Sequence, residues 1–274
     1  MNNAIKKINN IKNHTSKKIM QMNYSIKVSL INKKIHFFQK CNQNKKKILL
    51  YTDSRGFEIS NKFYKIDPFC FYPSYFIKNY NVDLYLCPEK HTTLMDFIKI
   101  YEQSEKNYDF IIAHVGIVDF SPRHQSVALK EIYPLKRDWY NKIFGEKNML
   151  THLESNFDDM YEGENTINMF SLEMAEQYLL PYLITIPNLI WIGCNKVIPE
   201  WRGNYFRDRP KNIHIIEKYS ELFCKKLENP IDLSNWDHND IKKFTYDNIH
   251  LTKSGGFVLL KKIKAKMIEI SEEQ

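Results

Sequence analysis

From Lys47 onward, short apolar runs ending in a turn or polar residue alternate with longer segments of helical period, and this alternation restricts the fold more than any other feature. The strand candidates are Ile48–Thr52 (ILLYT), Val82–Cys87 (VDLYLC), Phe110–His114 (FIIAH) and Leu189–Gly193 (LIWIG), with a weaker fifth near Pro230–Leu233. Helical spacing marks Thr92–Gln103, Thr166–Leu180, Asn212–Leu227 and Ser254–Ile270. In the last segment Phe257, Leu260, Ile263, Met267 and Ile270 recur at helical steps, which predicts one face laid against a sheet. Strands that alternate with helices pair in parallel through right-handed crossovers. The expected fold is therefore α/β, a mostly parallel central sheet with helices on its faces and functional residues at the carboxyl ends of the strands.

Charge divides the chain. Residues 1–47 hold 12 Lys and no Asp or Glu, which leaves 28 basic against 32 acidic side chains in the remainder. The net +8 thus belongs to an N-terminal extension, residues 1–46, ahead of an α/β domain over 47–274. The extension is rich in Lys, Asn and Ile, with a weak strand-like stretch from Tyr24 to Phe38. It reads either as a tether making electrostatic contact with an acidic surface or as a solvated arm of biased composition. The mildly acidic body argues against nucleic acid as a partner. Cys41, Cys70, Cys87, Cys194 and Cys224 show neither C-x-x-C spacing nor the density of a disulfide scaffold, which fits a reducing compartment. With no signal-like apolar stretch at the start, the expected location is the cytoplasm.

At the end of the first strand candidate stands Thr52-Asp53-Ser54-Arg55-Gly56, where Gly56 permits a tight turn and Phe57–Phe63 is free to open a helix. Free N–H groups at such a turn suit a developing oxyanion, although an N-cap serine has the same look. Just before the C-terminal helix comes Asp247-Asn248-Ile249-His250-Leu251. A serine hydroxyl needs a neighbouring base to take its proton, and the imidazole works best when a carboxylate fixes its tautomer. Three-residue spacing in a turn can bring Asp247 and His250 to one side.

In order, spacing and context these blocks resemble the SGNH hydrolases, also called GDSL-like lipases and esterases, over residues 47 to about 270. Thr52-Asp53-Ser54-Arg55 stands for Gly-Asp-Ser-Leu, Asp247 and His250 for Asp-x-x-His, and Gly116-Ile117-Val118-Asp119 for Gly-x-Asn-Asp. The resemblance implies a three-layer, flavodoxin-like fold, a Ser54/Asp247/His250 catalytic triad, and esterase or acyltransferase chemistry on an acylated carbohydrate or polysaccharide, with no cofactor and no metal. It also implies a structural role for Asp119. Two departures stand out: Val118 replaces the family's oxyanion asparagine, and no glycine lies between Gly56 and Gly116 to serve as its second-block donor.

Substitute oxyanion or substrate-binding groups are therefore sought among Arg55, Gly116, Asn195, Arg202, Asn204 and Arg209, the last four in the Arg- and Asn-rich loop after the fourth strand candidate. Arg123, beside the third block, is a further candidate. The loop equally suits a surface element pinned by Trp201 and by ion pairs to Glu200 or Asp208. If the altered hole is inactive, the alternative is a catalytically silent domain that binds an anionic glycan or an assembly partner through Arg202, Arg207 and Arg209. Phe63, Tyr64, Phe69, Phe71, Tyr72, Tyr75 and Phe76 are available either to stack on sugars or to pack a core. His114 reads as a packed or hydrogen-bonded histidine, and Asp237-His238-Asn239-Asp240 lacks the spacing of a metal site.

Overall fold

A computed structural model of the chain describes residues 26–60, 67–105, 107–155, 159–205 and 208–273. Five strands form the central sheet: β1 (Lys47–Thr52), β2 (Asn81–Leu86), β3 (Phe110–His114), β4 (Leu189–Ile192) and β5 (Asn229–Ile231). Their order is β2-β1-β3-β4-β5, and every pairing is parallel. The three inner strands are apolar on both sides because both sides are covered. Ile48, Leu50, Phe110, Ile112, Ile190 and Ile192 enter one core, while Leu49, Tyr51, Ile111, Ala113, Leu189 and Trp191 enter the other. At about 1.5–3 kcal/mol for each fully buried large apolar side chain, these two rows fix the register.

One face is covered by the helix Lys253–Glu272, through Leu259, Ile263, Met267 and Ile270. The expected stripe is corrected at its start, since Phe257 is exposed and Leu259 is buried. The cause lies at the glycines. A Cβ on Gly256 would stand 2.5 Å from the Phe71 ring, and one on Gly255 would stand 2.1 Å from the Phe244 carbonyl oxygen. The glycine side therefore turns inward and Phe257 turns out. The other face is covered by Leu94–Gln103, Tyr133–Phe144 and Ile215–Lys226, of which the second was not anticipated. Thr93 caps the first of these in a reciprocal box with Asp96.

Two further expectations are corrected. Thr166 belongs to an antiparallel ribbon, Arg123–His124 with Glu164–Ile167 with Met160–Tyr161, and helical structure begins only at Leu172, after the Ser171 cap. Residues 26–41 are helical, not strand-like; Tyr24 and Ser25 lie outside the described residues. That helix ends against the domain, where Asn42 Nδ2 donates to the carbonyls of Ile77 and Tyr80 at 3.1 and 2.9 Å. Among the described residues no helix is long and apolar enough to cross a membrane.

Candidate active site

In this strand order the chain reverses its direction of growth between β1 and β3, and a crevice opens at the carboxyl ends of those two strands. Ser54 stands there. Asp53 N–H donates to the His114 carbonyl at 2.8 Å, tying the end of β1 to the end of β3. The chain then makes a single 3-10 turn, Ser54–Gly56, and Phe57–Ser60 is not helical; residues 61–63 lie outside the described set. A Cβ on Gly56 would lie 2.1 Å from Thr52 Oγ1, so the turn needs glycine at that position. Ser54 Oγ lies 3.0 Å from His250 Nε2. Ser54 N–H finds no acceptor among the described residues.

His250 is oriented by Asp247, whose Oδ2 and Oδ1 lie 2.9 and 3.1 Å from Nδ1. The turn between them depends on Asn248, which sits at φ 70°, in the left-handed region. Its side chain explains why asparagine tolerates the position: Oδ1 accepts from Ile198 N–H at 2.8 Å, and Nδ2 donates to the Trp201 carbonyl at 2.5 Å. Asp247 is 2% exposed. Burial alone would raise its carboxyl, but hydrogen bonds from His250 and the charges of His250 and Arg209 outweigh that and hold it below the ordinary value. Ser54, His250 and Asp247 thus form one connected hydrogen-bonded chain.

The loop after β4, searched for oxyanion donors, is turned toward Asp247. Arg209 Nη2 reaches Asp247 Oδ2 at 3.0 Å and the Asp247 carbonyl at 2.9 Å. Asn195 is buried and donates to the carbonyls of Lys196 and Asn248. A Cβ on Gly203 would fall 2.2 Å from the Tyr246 carbonyl oxygen, so the close approach that glycine permits is to the Asp247 turn. Asn204 is exposed and is joined to the same carbonyl through its backbone N–H, at 2.8 Å. Arg202 faces outward and pairs with Asp208 at 3.3 Å. Arg207 lies outside the described residues.

Arg55 is also corrected. It is 3% exposed and points away from the crevice, with Nε and Nη2 on Asp53 at 3.0 and 2.8 Å and Nη1 on the Gly193 carbonyl. Burial opposes its charge, and the adjoining Asp53 carboxylate more than restores it. Gly116 is buried at φ 123°, where a Cβ would meet the Phe120 ring at 2.7 Å. Asp119 accepts from Leu94 N–H and from Tyr140 Oη, at 2.8 and 2.9 Å, and so ties two helices to the third block. His114 Nδ1 meets Tyr72 Oη at 2.9 Å in the core. Phe71, Tyr72 and Phe76 are core residues, and Asp237 caps the helix His238–Phe244; Phe63 and Tyr64 lie outside the described residues.

The crevice has a volume of about 390 Å³ and is lined by Ser54 and His250 together with Ile117, Val118, Pro122 and Arg123. Val118 offers no side-chain donor, but its carbonyl accepts from Arg123 Nε at 2.6 Å. Burial lowers the hold of the Arg123 guanidinium on its proton, and the nearby Asp119 acts in the opposite direction. Sequence reasoning placed Arg123 only as a flanking candidate. It did not single out His91 and Glu131, which also line the crevice and meet at 3.4 Å. The fold brings His91 from the turn before Leu94–Gln103 and Glu131 from the helical segment Ala128–Ile132, so no local motif marks them.

No known family profile matches this chain, and no characterised protein matches it in sequence. Two solved structures match it in shape. One is 12% identical, with a TM-score of 0.46 over 82% of this chain and 97% of its own. The other, an alpha/beta hydrolase enzyme from the metagenome of Lake Arreo, Spain, is 13% identical, with a TM-score of 0.43 over 81% of this chain and 94% of its own.

Proposed function

We propose that this chain is an SGNH-type serine hydrolase or O-acyltransferase that acts on acyl esters of a carbohydrate or polysaccharide. The observation that carries the reading is the Ser54 Oγ, His250 Nε2 and His250 Nδ1, Asp247 Oδ2 chain, at 3.0 and 2.9 Å, opening onto a crevice. Ser54 Oγ attacks the acyl carbonyl carbon as its proton passes to His250 Nε2, and Ser54 N–H faces the oxyanion that forms. Collapse expels the alcohol, which takes the proton from His250 and leaves the acyl group on Ser54. Water, or a second sugar hydroxyl, then loses its proton to His250 and attacks the acyl-enzyme. The acid or a new ester leaves, and Ser54 regains its proton. Asp247 stays ionised throughout and holds Nδ1–H in place. The carbohydrate rests on the resemblance and on the charged crevice.

A second reading, a silent domain that binds an anionic glycan or a partner, draws on Val118, since losing a side-chain oxyanion donor costs about a hundredfold or more in rate. A fluorophosphonate probe followed by peptide mass spectrometry separates the two. Labelling of Ser54 that disappears in His250→Ala is expected for the enzyme. A folded, unlabelled protein would move the weight to the silent domain.

A further inference from the structure

The crevice presents two guanidiniums, Arg123 and Arg209, and their surroundings differ. Arg209 is committed to Asp247 at 3.0 Å. Arg123 has no carboxylate within ion-pair distance among the described residues; Asp119, the nearest acidic influence, has its oxygens taken by Leu94 N–H and Tyr140 Oη. The acidic groups on the crevice wall are also engaged, Glu131 with Lys90 at 2.6 Å and Asp208 with Arg202 at 3.3 Å. A partly buried guanidinium without a counter-ion is costly to keep, and an anion arriving with the substrate would offset that cost.

We propose that Arg123 is a specificity-determining residue that binds a carboxylate carried by the substrate, so that the ester acted on belongs to an acidic sugar. This deepens the hydrolase reading and rests on it for the word ester, though not for the binding. Because Nε is held by the Val118 carbonyl at 2.6 Å, the Nη1 and Nη2 groups are left, and their fork matches the two oxygens of a carboxylate. One guanidinium balances one negative charge. A doubly charged phosphate would meet Glu131 and Asp208 with no second uncommitted guanidinium among the described residues, so the singly charged, planar anion is the better fit.

The test has two arms. In the first, Ser54→Ala protein is titrated with glucuronate and with glucose by ligand-observed NMR, which needs no turnover. Glucuronate should bind at least about tenfold more tightly, and Arg123→Gln in the same background should remove that preference. In the second, acetate release from acetylated glucuronate and acetylated glucose is compared. Arg123→Gln should lower the acid-to-neutral ratio of kcat/KM by roughly 10- to 100-fold, the range of hydrogen bonds to a charged group. Arg123→Lys keeps the charge without the fork and should retain an intermediate ratio, which guards against misreading a folding defect. Equal binding of the two sugars overturns the proposal, as does a preference that survives Arg123→Gln. An equal loss of turnover on both esters also overturns it, by making Arg123 an oxyanion donor. If the hydrolase reading alone fails, the second arm is silent and the first still decides.

Discussion

Behind the wall that His250 and Arg209 give the crevice, the Asp247 carboxylate accepts from the His250 ring, from the His250 and Ile249 N–H groups and from Arg209, while Asn248 and Gly203 lock the turn that carries it. On the wall that Ile117–Arg123 gives the same crevice, Val118 presents a side chain that cannot donate, and the charged Arg123 is held by one hydrogen bond to a carbonyl. The first wall is fixed by many partners before any substrate arrives. The second is shaped by its apolar side chains and leaves the Arg123 Nη groups without a carboxylate among the described residues. On the proposed hydrolase reading, the Asp247 side activates the nucleophile and substrate-supplied contacts matter most on the Val118 side.

The largest effects are expected from breaking the determined wall. Ser54→Ala and His250→Ala should each lower kcat by about 10⁴-fold or more, and Asp247→Asn by about the same, because the triad acts as a unit. Steady-state ester hydrolysis with a circular dichroism control checks this. Turnover retained in the first two variants would remove the triad altogether.

Next in size is a loss of stability beneath the Ser54 turn, away from the crevice. Asp53 and Arg55 form a pair in which neither side chain is more than 4% exposed, and they hold the turn on which Ser54 rides. Arg55→Leu strands the Asp53 carboxylate and should cost about 3–5 kcal/mol in urea denaturation. A substrate-binding arginine would instead leave stability intact and raise KM.

The contrast also explains what could be read in the sequence. Strand positions were legible because a buried parallel strand must be a short apolar run; Ser54 was legible at the end of the first such run, and Asp247 and His250 just before the C-terminal helix. The partners of the arginines were not. Arg55 meets Asp53 only because a 3-10 turn folds it back on itself, and Arg209 meets Asp247 only because Asn248 takes a left-handed conformation that redirects the turn. Both depend on local backbone geometry that residue type alone does not reveal. Only the start of the C-terminal helix's buried face was misjudged, at Phe257, for a related reason, since Gly256 counts as a core residue by having no side chain.

The unfilled wall can be sharpened rather than broken. Val118→Asn places an amide in the crevice that Ser54 lines and, if the site is the proposed esterase, should raise kcat on simple esters by about 10- to 100-fold, less than the full value of an evolved oxyanion donor. A folded variant with unchanged kcat would show that the wall already holds its donor, with Arg123 the first group to examine.

Arg209→Gln carries the smallest expected effect and probes how far the determined wall is over-built. His250 still binds Asp247, so the loss is that of one hydrogen bond between charged groups, about 10-fold in kcat. Its stability effect has a definite sign with pH. The folded Asp247 carboxyl lies below its ordinary value, so its contribution is complete above about pH 4 and disappears as pH falls through the folded value. Removing Arg209 raises the folded value toward the unfolded one. The stability gap between wild type and Arg209→Gln should therefore be constant from pH 7 to about pH 5 and shrink below about pH 4. Asp119, which burial pushes up to about 7, makes stability fall as pH rises from about 4 to 7, but it is common to both proteins and cancels in the difference. Urea denaturation across this range reads the gap directly. A gap that stays flat down to pH 3 would mean that Arg209 acts by packing on Tyr205, whose ring lies 4.0 Å from its guanidinium carbon, and not through the charge of Asp247.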